Sequence, residues 1–242
     1  MEIHKPKAAH GLREFLIEIG TIVCGILIAL GLEQGLEALR ERRTSAEAGD
    51  AVKKELSIDV ALTKVRLDMY GCVSRHLADI GDLLIRAGNG TMAVQPTWIS
   101  RPPLFTYGSG AWQASTGSGR AALLHGAEQS SYGDLYSTLS AMEREEEREQ
   151  NAWARLRGLE KWTGPLGLQG RLYFAQALQE ARYSSYRMYS LANNVRHEAQ
   201  ELGVEPVKDP RITYTTGVCL PITTARKEAE LHEKGRAIGN PD

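Results

Sequence analysis

Residues 13–43 read REFLIEIGTIVCGILIALGLEQGLEALRERR, and this stretch decides how the rest of the chain is organised. It contains no charged residue between Glu18 and Glu33. These 14 or so residues would span about 21 Å as a helix, less than the roughly 30 Å of a hydrocarbon core. Residues 15–17 and Leu36 extend the apolar run, so both carboxylates would lie near the interfaces, where a charge costs less than at the midplane. The stretch therefore predicts one transmembrane helix.

Two other interpretations of residues 13–43 stay open. A secretory signal peptide also combines a basic start with a short apolar core, and Ala29-Leu30-Gly31 resembles its small-x-small cleavage site. Glu18 within that core fits a signal peptide poorly. An apolar run of this length also occurs in buried helices of soluble domains.

Small residues recur in the predicted span at helical spacing. Thr21, Gly25 and Ala29 form one row, and Gly31 and Gly35 form another. Such small-xxx-small rows let transmembrane helices approach closely. The sequence therefore predicts helix packing in the membrane through Glu18, Thr21, Gly25, Ala29, Gly31, Glu33 and Gly35.

Each of the two carboxylates allows two interpretations. Glu18 and Glu33 are either interfacial groups that reach water, or they meet a cation or hydrogen-bond donor on a partner helix. The second interpretation predicts a homo-oligomer or a protein partner bound through the anchor, with lipid around the remaining surface.

The basic residues on the two sides of the anchor nearly cancel, since Lys5, Lys7 and Arg13 precede it and Arg40, Arg42 and Arg43 follow it. Lys and Arg bias sets orientation, so the flanks give only a weak preference. A short basic tail before a long domain favours a cytoplasmic tail, which places the domain on the other side of the membrane.

The three cysteines divide between the anchor and the domain. Cys24 is expected to pack as a small apolar group. Cys72 and Cys219 would form a disulfide if the domain lies outside the cytoplasm, and would be free thiols inside it.

Composition excludes some classes of function. The formal net charge is −1, with 29 basic and 30 acidic residues, which is not the basic excess typical of nucleic-acid binding. The sequence contains no HExxH, GxSxG, paired CxxC, Rossmann or Walker pattern. We therefore predict no catalytic residue, no metal and no cofactor. The acidic run EREEERE at 143–149 is interpreted as a solvated helix face with internal salt bridges, with a cation or basic-partner site as the alternative.

The predicted architecture is all-α, a single transmembrane helix followed by an antiparallel helical bundle with a loop-rich insertion. The predicted regions are a polar tail at 1–12, the anchor and flanks at 13–43, the bundle at 44–203, and an extended segment with a short helix at 204–242. Apolar periodicity predicts long helices over 44–87, 127–159 and 168–202. The prolines of 88–110 exclude a helix there. Apolar residues such as Trp98 and Phe105 predict that this segment is an ordered loop folded back over the bundle, which covers one end of the core or alternatively forms a binding lip. A short strand is predicted near 212–218, and a last helix over 223–237.

The anchor resembles the N-terminal signature of uncharacterised bacterial single-pass membrane proteins. That signature has a Phe-Leu-x-Glu start, an apolar run with Gly and Ile-Ala, and a polar exit ending in Glu. The matching positions are Phe15, Leu16, Glu18, Gly25, Ile28, Ala29 and Glu33. The resemblance covers about the first 40 residues and implies an anchor in the bacterial inner membrane with a helical domain, but no activity.

These observations lead to one functional expectation with two alternatives. The first is a non-enzymatic accessory or scaffold subunit of a membrane complex, which contacts its partners through the anchor and one bundle face. The second is a membrane-tethered helical bundle that binds a ligand, as a sensor domain does. The third is an enzyme whose site has no recognisable motif.

Overall fold

The structure, a computed structural model, describes residues 11–124, 126–208 and 217–234. All regular elements within these ranges are helical, which confirms the all-α prediction. The α-helices are α1 Leu12–Ala87, α2 Gly110–Gly117, α3 Gly126–Leu156, α4 Gly167–Glu201 and α5 Arg226–Lys234. Short 3-10 helices lie at Arg120–Leu123, Arg157–Lys161 and Gly217–Cys219.

Helix α1 runs without a break through the anchor and the first part of the bundle. Its 76 residues correspond to about 114 Å at 1.5 Å per residue. The boundary predicted between residues 43 and 44 is therefore not a break in the helix, and across it Arg43 forms an i,i+4 ion pair with Glu47 at 3.0 Å. The helix ends at Gly88, whose φ of 53° is a conformation that glycine adopts at little cost.

The two parts of α1 have different surroundings. The residues from Phe15 to Leu39 that carry large apolar side chains are all exposed, and none of the most apolar window is buried by the rest of the chain. Among the described helices, this is the one that is long and apolar enough to cross a membrane. Burial by the bundle begins near Ala48.

The three long helices of the bundle alternate in direction around α4. The amide of Leu166, at the start of α4, donates to the carbonyl of Gly90, just after the end of α1, at 2.9 Å. Further along, Tyr70 of α1 stacks on Tyr189 of α4 with ring centroids 4.3 Å apart. Helix α4 is therefore antiparallel to α1, and it is also antiparallel to α3, against which it packs.

The loop-rich insertion occupies the fourth position of the bundle. Residues 98–109 run lengthwise between α1 and α3, from Glu160 at one end to Glu55 at the other. The first part of the loop lies at the distal end, where Gln95 donates to the carbonyl of Leu159 at 2.7 Å, and the rest extends along the side of the bundle, beyond the single end that was predicted. The segment lies along the side because carboxylates of both helices accept hydrogen bonds from its backbone, as described below.

The core consists of two apolar clusters separated by a polar layer. The cluster farther from the anchor, the distal cluster, centres on Leu77, Trp153 and Phe174. The nearer one, the proximal cluster, centres on Leu56 and Tyr132. Between them lie the buried polar residues that we call the polar layer: Asp59, Thr63, Arg66, Glu145, Glu146, Glu149, Ser184 and Ser185.

The C-terminal part of the chain closes the distal end. Val218 is fully buried in the distal cluster. The carbonyl of Ile222 accepts hydrogen bonds from the amides of Thr97 at 2.9 Å and Trp98 at 3.2 Å. The predicted strand near 212–218 lies mostly outside the described residues, and its last two positions belong to a 3-10 helix.

Candidate functional site

The predicted membrane-packing residues all project from the uncovered part of α1. At about 100° per residue, Glu18, Thr21, Gly25 and Ala29 lie on one side of the helix. Glu33 lies about 60° from Glu18 around the axis. A methyl group added at Gly25, Gly31 or Gly35 would meet no other part of the chain within 4 Å. These positions are therefore free to contact lipid or another helix.

Cys72 and Cys219 are joined in a disulfide. Their Cα atoms are 5.1 Å apart, and the bridge spans 147 residues of sequence. It fastens the C-terminal residues 217–222 to the distal part of α1. The thiol of Cys24 is free and exposed.

Cys72 and His76 are four residues apart on one helix face, a spacing that two metal ligands can have. The sulfur of Cys72 is in the disulfide, so this pair is not a metal site. His76 lies within 3.1 Å of the carbonyl of Leu220 through Nδ1, and burial lowers the pKa of its ring. In the part of the chain that the structure describes, no group of three or more His, Cys, Asp or Glu side chains is arranged to hold a metal ion.

The acidic run on α3 is only partly a solvated face: residues 143, 144, 147 and 148 are exposed, and Arg148 pairs with Glu145 at 3.3 Å, but three of its glutamates are buried. Glu145, Glu146 and Glu149 are only 3%, 0% and 0% exposed. Arg66 of α1, which is itself 7% exposed, lies opposite Glu146 and Glu149. A buried charge is tolerated when an opposite charge and hydrogen bonds compensate it.

Arg66 holds the centre of the polar layer. Its guanidinium forms a close ion pair with Glu149, and its Nε lies 3.9 Å from Glu146. A third contact runs to the insertion, where Nη1 donates to the carbonyl of Pro103 at 3.2 Å. One side chain therefore connects α1, α3 and residues 98–109.

Four carboxylates hold the backbone of the insertion from both sides, and we call them the clasp. Each accepts a hydrogen bond from a backbone N–H of the insertion or of the first turn of α2. The pairs are Glu146 with Phe105 at 3.1 Å, Glu143 with Tyr107 at 3.1 Å, Asp59 with Gly108 at 2.9 Å and Glu55 with Ala111 at 2.9 Å. The insertion lacks sheet partners, and the clasp satisfies donors that would otherwise be buried unpaired.

Gly108 is required where the insertion passes α1. A Cβ at this position would lie 2.8 Å from Cγ of Glu55, which is too close for a real contact. The absence of a side chain lets the backbone approach the clasp. On the other side of Glu55, its Oε1 accepts a hydrogen bond from the hydroxyl of Tyr136 at 2.7 Å.

Burial changes the protonation of the clasp. It raises the pKa of Asp59 to about 7, against an opposing contribution from the amide of Gly108. Burial also raises the pKa of Glu146 to about 7, although Arg66 opposes the shift. In the polar layer, burial also raises the pKa of Glu149. The site therefore contains carboxyl groups that exchange protons near neutral pH.

Several atoms of the polar layer find no hydrogen-bond partner among the described residues, notably Asp59 Oδ2, Arg66 Nε and Glu149 Oε1. One arginine faces more than one carboxylate, so the layer is richer in acid than in base. The layer lies beneath the insertion, between the three long helices, and its carboxyl groups give it acid–base character.

Two surface clefts lie in the groove between α1 and α4. The first has a volume of about 260 Å³ and lies near Val60, Leu67 and Arg196. The second has a volume of about 350 Å³ and lies at the distal end, near Gly81 and Leu172. The stacked pair of Tyr70 and Tyr189 lies on the same groove between them.

Sequence reasoning missed the polar layer, although a signal was present. On α1 the buried positions recur every three or four residues, and this period includes Asp59, Thr63 and Arg66. On α3 the same period includes Glu146 and Glu149. Polar residues at core positions of two helices, with opposite charges, predict a buried ion pair rather than a solvated face.

Comparison with known proteins gives no further assignment, because no family model, no curated protein and no solved structure matches this chain.

Proposed function

We propose that this protein is a non-enzymatic, membrane-anchored accessory or scaffold subunit of a complex in the bacterial inner membrane, with its helical domain in the periplasm. The observation that carries the proposal is the exposed apolar part of α1, which continues without interruption into a well-packed bundle. Such an arrangement holds a folded domain at a fixed place on a membrane.

The anchor has the chemistry of a helix that meets another helix. Its small residues would allow close backbone approach, and the hydroxyl of Thr21 is satisfied within its own helix by the carbonyl of Ile17 at 2.7 Å. Glu18 has no partner of this kind in the anchor among the described residues. A carboxylate at the edge of a bilayer is stabilised by a donor from a neighbouring helix.

The disulfide between Cys72 and Cys219 supports the periplasmic side. Disulfides persist in oxidising compartments and are rare where thiols are kept reduced. The orientation is tested with a C-terminal alkaline phosphatase fusion, which is active only when exported. Activity supports the periplasmic domain, and an inactive fusion with free Cys72 and Cys219 contradicts it.

The bundle interior favours a scaffold over a ligand sensor. The space between α1, α3 and α4 is occupied by the polar layer and by the insertion, so the described clefts open on the outside. A sensor would gain thermal stability from a small molecule without binding another protein. This outcome would favour the alternative.

The central test is purification in mild detergent, with identification of every protein that co-elutes. We expect a partner at fixed stoichiometry that survives repeated washing. Gly25→Leu should weaken this association by about tenfold, because a leucine keeps a neighbouring backbone at a distance. The matched control is Val23→Leu, since two residues place it roughly opposite Gly25 on the helix.

Three outcomes contradict the proposal. The first is a monomer in detergent with no co-eluting protein. The second is that Val23→Leu and Gly25→Leu weaken the association equally, which would show that the anchor does not contact its partner through the Gly25 side. The third is a mature chain that begins after Gly31, because a cleaved signal peptide leaves no anchor.

A further inference from the structure

The distal cleft between α1 and α4 combines an apolar surface with positive charge. Ile85 and Leu172 flank it and are 79% and 57% exposed. Gly81 and Ala175 also line it. Leu168, one turn before Leu172 on α4, adds a third exposed aliphatic side chain.

The charged residues that line this cleft are both arginines. Arg171 and Arg182 lie on α4, 11 residues and therefore about 16 Å apart along the helix. No ion pair joins either arginine to a carboxylate within the part of the chain that the structure describes. Other arginines of the bundle do have such pairs, since Arg66 meets Glu149 and Arg155 meets Glu180.

The guanidinium of Arg182 is held against the backbone of α1 at the edge of the cleft. It lies over Gly81, where an added Cβ would come within 2.5 Å of Nη2. Nη2 also donates to the carbonyl of Leu77 at 3.4 Å. The cation is thus held at the edge of the cleft, while most of its donors remain available.

We propose that this cleft docks an amphipathic α-helix of another protein, with aliphatic residues on one face and carboxylates that meet Arg171 and Arg182. The inference rests on the proposed function and names the bundle face and the partner chemistry. A groove between two antiparallel helices receives a third helix by its apolar face, through side chains spaced i, i+4 and i+7. Carboxylates about three turns apart on that helix would reach both arginines.

Charge and position identify the occupant as a protein with acidic groups. A second copy that used the same face would bring like charges together, because a two-fold interface repeats the same patch on both subunits. Phospholipid headgroups are too far away. Residue 81 lies 38 residues beyond Arg43, or about 57 Å along α1. Arginine is also enriched at protein interfaces relative to the rest of the surface.

The test uses the full-length chain in its native membrane, with the photo-crosslinking residue benzoylphenylalanine in place of Leu172. We expect a crosslink whose mapped peptide is acidic and carries aliphatic residues at helical spacing. Arg171→Glu together with Arg182→Glu should reduce the crosslink about tenfold. Reversing the mapped carboxylates to lysine should restore it in this double variant.

The matched control places the crosslinker at Leu104, which is 61% exposed but lies on the insertion. Equal crosslinking from Leu104 and Leu172, a mapped peptide without carboxylates, a crosslink to a second copy, or a yield unchanged by the double variant would each overturn the docking proposal. The scaffold function is judged separately. If a partner still co-elutes through the anchor while the cleft gives no crosslink, the docking inference fails alone, and if nothing co-elutes, both fail.

Discussion

The two halves of the core are held by different forces. The distal half is mainly aliphatic and is fastened by a covalent bridge between Cys72 and Cys219. The proximal half is rich in tyrosine, and the hydroxyls of Tyr107 and Tyr136 reach carboxylates of the clasp. The polar layer separates the two halves. One end of this bundle is thus held by apolar packing and a disulfide, and the other by packing that depends on acid–base groups.

Arg66 gives the largest expected effect because it connects both halves. Arg66→Met should lower the free energy of unfolding by about 3–5 kcal/mol, since Glu149 is left buried without its cation. The measurement is urea unfolding of the full-length protein in detergent, followed by far-UV circular dichroism.

The control for this substitution removes both charges. Arg66→Met with Glu149→Leu should recover most of the loss, because an apolar pair of similar volume is often as stable as a buried ion pair. If the single substitution lowers stability by less than about 1 kcal/mol, Arg66 does not hold the layer together.

The second largest loss of stability is expected when the disulfide is removed, and it should affect the distal half of the core. Cys72→Ser with Cys219→Ser should lower stability by about 2–4 kcal/mol, because the bridge restricts the unfolded chain over a long loop. Hydrogen exchange should increase at the amides of Thr97 and Trp98, whose acceptor is Ile222. Equal increases at Tyr107 and Gly108 would show that the halves are not independent.

The third and smallest effect is a pH dependence of the proximal half. The folded pKa of Asp59 is raised to about 7, above the roughly 4 expected when unfolded, so the native state binds more protons between these values. Stability therefore falls as pH rises from about 4 to about 7. The slope is at most about 1.4 kcal/mol per pH unit for one group. The urea midpoint of the full-length protein should be higher at pH 5.5 than at pH 7.5.

Asp59→Asn separates this contribution, because a neutral amide keeps an acceptor for the amide of Gly108 without titrating. The variant should lose part of the pH dependence, and an unchanged profile would exclude Asp59 as its source. His76 should act in the opposite direction in the distal half. Its folded pKa is lowered by burial, so its contribution is present above the unfolded value near 6.5 and decreases as pH falls below it.

Much of the fold could be predicted from periodicity. The apolar stripes gave the long helices to within a few residues, and Gly88 gave the end of α1. The insertion was also predicted to be ordered, since its apolar residues needed cover. These features depend on local pattern, which a single sequence contains.

The carboxylate clasp could not be predicted in the same way. Nothing local shows that Glu143 would accept the amide of Tyr107, because the two residues lie 36 positions apart. The run EREEERE has the composition of a solvated face, and its register with Arg66 places Glu146 and Glu149 in the interior. Such pairing could be predicted only by comparing the polar residues on the buried face of α1 with those on the buried face of α3.

The unbroken course of α1 has a geometric consequence for any assembly that contains this protein. A continuous helix fixes the rotational phase of the domain relative to the bilayer, because each residue contributes about 100° of turn and 1.5 Å of height. One residue inserted between the anchor and the bundle would turn the distal cleft by more than a quarter of a circle, away from a neighbour fixed in the membrane. The number of residues between the anchor and the bundle therefore sets the direction in which the distal cleft faces.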